Sequence, residues 1–188
     1  MGNYNHNFDN RKSHRLPGFD YSLPGYYFVT ILVKDRQHLF GSIRNGHPHL
    51  SEVGNVAEQC WQEIPEHYPT VKLDEYIIMP NHVHGIIQII ARSKGEAYVR
   101  AENLQPLHRR DGKQKHKFQQ VIPKSLSAIV RGYKIGVTNW CRNNGHDYFQ
   151  WHRNFHDHII ESKEELYQIR NYIRNNPKRW EEGEDDLQ

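Results

Sequence analysis

The sequence predicts an α+β sandwich, an antiparallel sheet with helices packed on one face, and three observations carry that prediction. Aromatic and β-branched residues run at strand length at 26–33, 71–79 and 82–90. Apolar residues recur at helical spacing near 52–65 and again from Leu126 to Cys141. A last short strand, Phe155 to Ile160, is followed by a third helical stripe with its own start signal.

Taken in order, Tyr26-Tyr27-Phe28-Val29-Thr30-Ile31-Leu32-Val33 reads as a buried strand. After a glycine-containing connection, Val53, Val56, Ala57, Cys60 and Ile64 mark an amphipathic helix from about Glu52 that stops near Pro65. Val71 to Met79 and His82 to Ile90 form two strands joined by a tight turn at Met79-Pro80-Asn81. The stretch 91–124 has no sustained period and reads as a long insertion. Leu126, Ile129, Val130, Tyr133, Val137, Trp140 and Cys141 line the second helix, which ends at Asn143-Asn144-Gly145. Ser162 and Glu165 form a capping box for the third helix, with Leu166, Ile169 and Ile173 as its stripe and Pro177 limiting its end. The order β-α-β-β-α-β-α is that of a ferredoxin-like sandwich with one added helix.

At 188 residues, 36% hydrophobic and 25% charged, the chain suits one domain with a real core. We read 1–20 as a polar arm, 21–177 as the domain, and 178–188 as an acidic tail. The longest apolar run is too short to span a bilayer, and Met1 to Pro17 lacks the apolar segment of a signal peptide, so no membrane role is expected. His6 breaks the myristoylation pattern. Two cysteines, Cys60 and Cys141, exclude a disulfide scaffold and a four-cysteine zinc site, and favour a reducing cytoplasmic setting. The formal charge is +3, but Arg92 to Lys124 holds nine Lys or Arg against three acids. Arg109, Arg110, Lys113, Lys115 and Lys117 crowd there without an apolar period, and we expect them to grip a nucleic-acid backbone.

Pro80-Asn81-His82-Val83-His84 opens the third strand, so His82 and His84 share one face and can both reach a divalent cation as neutral ligands. His156 and His158 alternate in the same way and compete for that role. Tyr172 and Asn176, at i and i+4 of the last helix, place a phenol beside a carboxamide. Gly41-Ser42-Ile43-Arg44-Asn45-Gly46 has phosphate-loop glycines, but His47-Pro48 stands where Lys and Ser or Thr are required, which argues against an NTP-driven machine.

Met79-Pro80-Asn81-His82-Val83-His84, then Trp151 to Ile160, then Tyr172-Ile173-Arg174-Asn175-Asn176-Pro177 occur in one order. In this the chain resembles the single-tyrosine HUH transposases of insertion-sequence-200-like elements, most closely their REP-associated branch. The resemblance implies a ferredoxin-like fold and a DNA transposase that cleaves and rejoins single-stranded or hairpin DNA through a 5′-phosphotyrosine. It implies Tyr172 as nucleophile, and His82, His84 and Asn176 as ligands of a divalent metal, Mg²⁺ or Mn²⁺. Asp157-His158-Ile159 matches a family segment to which we assign no catalytic role. The resemblance also implies homodimers, the arrangement in many relatives, with monomers in the REP-associated branch. The alternative function is a catalytically silent protein of the same fold that binds hairpin DNA.

Overall fold

A computed structural model describes residues 19–91 and 125–183. Six strands and four helices follow in the order β1 (Gly25–Leu32), β2 (Gly41–Arg44), β3 (His47–Leu50), α1 (Glu52–Gln62), α2 (Ile64–His67), β4 (Val71–Met79), β5 (His82–Ile89), α3 (Leu126–Asn143), β6 (His156–Ile160) and α4 (Lys163–Glu181). The main sheet is antiparallel with strand order β4-β5-β1-β6, so the ferredoxin-like order expected from the sequence is the order found. The insertion and its five expected DNA-binding residues, Arg109, Arg110, Lys113, Lys115 and Lys117, lie outside the described residues.

Alternation along β1 and β5 divides the sheet into two unlike faces. Tyr27, Val29, Ile31, Val83 and Ile87 join Val53, Ala57 and Trp61 of α1 and Ile129, Tyr133 and Val137 of α3 in the larger core. Ile86, Ile160 and Tyr26 meet Leu166 and Ile173 of α4 in a smaller one. The two helices of the βαββαβ repeat therefore share one face, and the added helix α4 covers the other. Trp61, absent from the stripe read in the sequence, is fully buried and stands over Gly85. A Cβ at Gly85 would come within 2.2 Å of the Trp61 ring. Gly85→Ala should therefore lower stability by about 1–3 kcal/mol, measured by denaturant unfolding, since a rigid indole has nowhere to move.

The segment 41–50, read as a connection, is a β-hairpin. Asn45 and Gly46 both have positive φ, 53° and 70°, the requirement of a two-residue I′ turn. Its tip reaches the end of α4, where the Gly46 amide donates to Glu181 Oε2 at 2.6 Å. Helix α4 also runs past Pro177, expected to limit it, as far as Glu181. Pro177 forgoes one amide donor, but its ring is buried, so packing outweighs the lost bond.

Two ion pairs fix α4 to the edge strand β4. A register shift between Leu73 and Tyr76 puts both of those side chains on the larger core and turns the intervening acids to α4. Asp74 accepts from Arg170 Nε at 2.7 Å and Nη2 at 2.5 Å, and Glu75 pairs with Arg174. Burial pushes the Asp74 carboxyl up, but the Arg170 bonds, the Glu75 amide and the two guanidinium charges outweigh it and hold it below its ordinary value. A folded pKa below the unfolded one means stability that is complete above the unfolded value and lost as pH falls through the folded one. Asp74→Asn should cost about 1–2 kcal/mol at neutral pH, and the gap from wild type should close toward acid. Urea unfolding at pH 7 and near pH 3 measures both.

Candidate active site

The polar residues of the site occupy the α4 face of the sheet. β1 lies between β5 and β6, and the register sets His84 opposite Thr30 and Thr30 opposite His156. The turn before His82 is held by its own carbonyls, Pro80 accepting from the Phe40 amide at 3.0 Å and Asn81 from the Val33 amide at 2.9 Å. His82 and His84 are 0% and 1% exposed, with ring centroids 4.4 Å apart. Phe28 stacks on His84 at 5.3 Å.

Hydrogen bonding turns both imidazoles the same way. His82 Nδ1 donates to Asn81 Oδ1 at 2.6 Å, and His84 Nδ1 lies 2.9 Å from Thr30 Oγ1. That leaves Nε2 of His82 with its lone pair. His84 Nε2 lies 3.2 Å from the Tyr172 hydroxyl. Nε2 of His82 is buried with no hydrogen-bond partner among the described residues. A buried nitrogen without a partner costs about 1–3 kcal/mol, a cost that a ligand at that point would offset.

Both histidines are neutral at physiological pH. Burial pushes His82 well below its ordinary value, with the charges of His84, Arg36 and His38 adding to the effect. Burial, and then His156, pushes His84 down to about 3. Neutral imidazoles are the form that binds metals.

Helix α4 supplies the remaining groups along one side, at 172, 176 and 180. The Tyr172 ring is 5.2 Å from that of His84, and the Trp180 ring is 6.0 Å from that of His82. Asn176, one turn from each on the same side of α4, is buried. Arg179 lies 5.5 Å from the Tyr172 ring centroid, and His38 packs against Trp180 at 5.2 Å. Of the four residues expected from the sequence, His82, His84 and Tyr172 adjoin one another, and Asn176 is buried one turn further along α4.

Two imidazole nitrogens and a carboxamide oxygen are donors suited to a divalent cation, and the bare His82 Nε2 fits one. No group of three or more His, Cys, Asp or Glu is placed to hold a metal among the described residues. His158 is engaged elsewhere, its Nε2 2.6 Å from Glu165 Oε1. The other Glu165 oxygen accepts from the Glu161 amide, while Ser162 Oγ accepts from the Glu165 amide as the capping box requires.

Thr30 and Asn81 were not singled out in the sequence, although each left a signal. Thr30 is the one aliphatic hydroxyl in the apolar run 26–33, and Asn81 directly precedes His82. Asn81→Ala and Thr30→Val should each weaken Mn²⁺ binding about 10–100-fold by freeing the rings to turn, a change that titration calorimetry reads directly.

An uncharacterised protein of Haemophilus influenzae is 41% identical over 181 residues, covering 96% of both chains. The chain belongs to the family of that protein. No family model matches it. A second Haemophilus influenzae protein, provisionally named a REP-associated tyrosine transposase, is 25% identical over 160 residues, 84% of this chain and 73% of its own. A solved REP-associated tyrosine transposase bound to a REP hairpin superposes with a TM-score of 0.55 at 14% identity, covering 93% of this chain and 76% of that one. The fold is therefore that of a transposase, and the chain has a distant sequence relative of that name. No helix among the described residues is long and apolar enough to cross a membrane.

Proposed function

We propose that the chain is a DNA transposase-type enzyme that cuts and rejoins single-stranded DNA by transesterification, with hairpin DNA as its substrate. The observation that carries the reading is the Tyr172 hydroxyl 3.2 Å from His84 Nε2, beside a His82 Nε2 that has no partner among the described residues. His82, His84 and Asn176 would hold a divalent cation, Mg²⁺ or Mn²⁺, which when bound draws electron density from the phosphoryl oxygens.

Tyr172 Oη attacks the scissile phosphorus, a new oxygen–phosphorus bond forms, and the bond to the 3′-oxygen breaks. The phenol loses its proton, the departing 3′-oxygen gains one, and the 5′ end of the strand stays on the tyrosine. A second 3′-hydroxyl reverses the step, so one phosphodiester is exchanged for another without a triphosphate. Arg179 puts positive charge beside the attacking ring, where the phosphate must approach. Phe28, edge-on to Tyr172 at 6.0 Å, fixes the direction of the ring. The solved relative's hairpin supports the choice of substrate. The insertion residues Arg109, Arg110, Lys113, Lys115 and Lys117 add backbone contacts in this reading. A homodimer would allow two strand ends to be joined.

Incubation with single-stranded hairpin DNA and Mn²⁺, then denaturing electrophoresis, tests the proposal. A slow-migrating covalent protein–DNA species is expected. Cleavage without that species would indicate attack by water, and binding without cleavage would indicate the silent hairpin binder.

A further inference from the structure

Trp180 belongs to neither core of the sheet. It is half-buried, and its ring contacts are with His38 at 5.2 Å and His82 at 6.0 Å. A helix that stopped at Pro177 would not carry it to the site. Helix α4 instead runs on, its last turn tied to the β2–β3 hairpin by the Gly46 amide and Glu181. His38 comes from the loop 34–39, which is pinned at both ends to the turn that precedes His82. The Val33 amide donates to the Asn81 carbonyl at 2.9 Å, and the Phe40 amide to the Pro80 carbonyl at 3.0 Å. Within the loop Asp35 and Arg36 hold φ of 54° and 52°, left-handed backbone that is costly for a residue with a Cβ. Strain of this kind gathers where a loop clamps a ligand. The exposed Arg36 side chain makes no ion pair or hydrogen bond among the described residues, and its charge, with that of His38, reaches His82.

We propose that Trp180 and His38 seat one unpaired base of the DNA strand by stacking, with Arg36 on the phosphate beside it. The indole adds nothing to either core, so packing does not account for its place. At 60° to the indole, the His38 ring does not cover its face as a stacked ring would. Which base is seated rests on the transesterification reading. Tyr172 adjoins His84 and Trp180 adjoins His82, eight residues apart on α4, roughly 12 Å at 1.5 Å per residue. Attacking and leaving oxygens lie in line on opposite sides of phosphorus. With Tyr172 at the His84 end of the pair, the departing 3′-oxygen faces the Trp180 end. The seated base is therefore that of the nucleotide carrying this 3′-oxygen, on the 5′ side of the cut. Held there after cleavage, its 3′-hydroxyl stays in place for the return step. Every base has a π-face, so the seat fixes the position of the strand rather than its sequence.

The test is binding of a short labelled single strand, the flank of the hairpin that wild type cuts, read by fluorescence anisotropy without divalent metal. The strand is used intact and with one abasic nucleotide at each position in turn. In wild type one abasic position, the nucleotide 5′ to the cut, should weaken binding about 10–100-fold. Trp180→Ala should weaken binding of the intact strand by a similar factor and be indifferent to that abasic position, since both changes remove the same contact. Trp180→Phe should restore most of the affinity. His38→Ala, at an exposed loop position, should act in the same direction with a smaller loss. Arg36→Gln should flatten the log–log salt slope by about 0.7, one single-strand phosphate contact, and keep the abasic sensitivity. Additive losses for Trp180→Ala and the abasic strand would overturn the seat, as would a walk with no sensitive position or with its sensitive position 3′ to the cut. A wild-type protein that forms no adduct on any strand, yet whose abasic loss vanishes in Trp180→Ala, would contradict the phosphotyrosine reading and leave the seat standing.

Discussion

Tyr172→Phe should abolish covalent protein–DNA adducts and reduce strand cleavage on the order of 10⁴-fold or more, because it removes the attacking oxygen and nothing else. The ring keeps its contacts with Phe28 and His84, and the 3.2 Å bond to His84 Nε2 is lost. That bond is partly buried, so stability should change by about 1 kcal/mol at most. Hairpin binding should remain near the wild-type level, since a single hydroxyl is removed and every charge is kept. Gel-shift titration and denaturing electrophoresis of the same samples separate the two effects. An adduct at wild-type yield would move the assignment to another tyrosine, with the exposed Tyr167 the first to replace.

Replacing His82 or His84 by Ala should remove the Mn²⁺ site and lower cleavage on the order of 10³-fold or more. Each ring supplies one nitrogen, so either loss leaves too few donors to hold the cation. The two variants should differ in stability. His82→Ala removes a buried nitrogen that has no partner among the described residues, offsetting part of the cost of the space it leaves. His84→Ala also breaks bonds to Thr30 and Tyr172 and the stack on Phe28, and should be the less stable protein. Titration with Mn²⁺ followed by electron paramagnetic resonance reads the metal without any turnover. Undiminished binding in both variants would place the metal elsewhere, with His156 and His158 the alternative pair.

The sheet and its helices were legible because their apolar periods are long and distinct. Val71 to Met79 and Leu126 to Asn143 lie where the pattern put them. The β2–β3 hairpin was not, because His47-Pro48-His49 has no apolar alternation and its signal is the Asn45-Gly46 turn alone. The face taken by α4 depends on pairing between strands distant in sequence, which no local period records. Of the site, His82, His84, Tyr172 and Asn176 could be picked out in sequence because a strand's period of two and a helix's of 3.6 place each pair on one side. Thr30 and Trp180 could not, since their roles arise from the β1–β5 register and from α4 continuing through Pro177.

The central claim is that one tyrosine on α4 attacks DNA at the histidine pair. Its most direct test is digestion of the covalent complex by nuclease and trypsin, followed by mass spectrometry of the nucleotide-bearing peptide. The account predicts a 5′-phosphonucleotide on Tyr172 and on no other residue, formed only when a divalent metal is present. A nucleotide on Tyr167, Tyr133 or a serine, or cleavage that leaves every peptide unmodified, would contradict it.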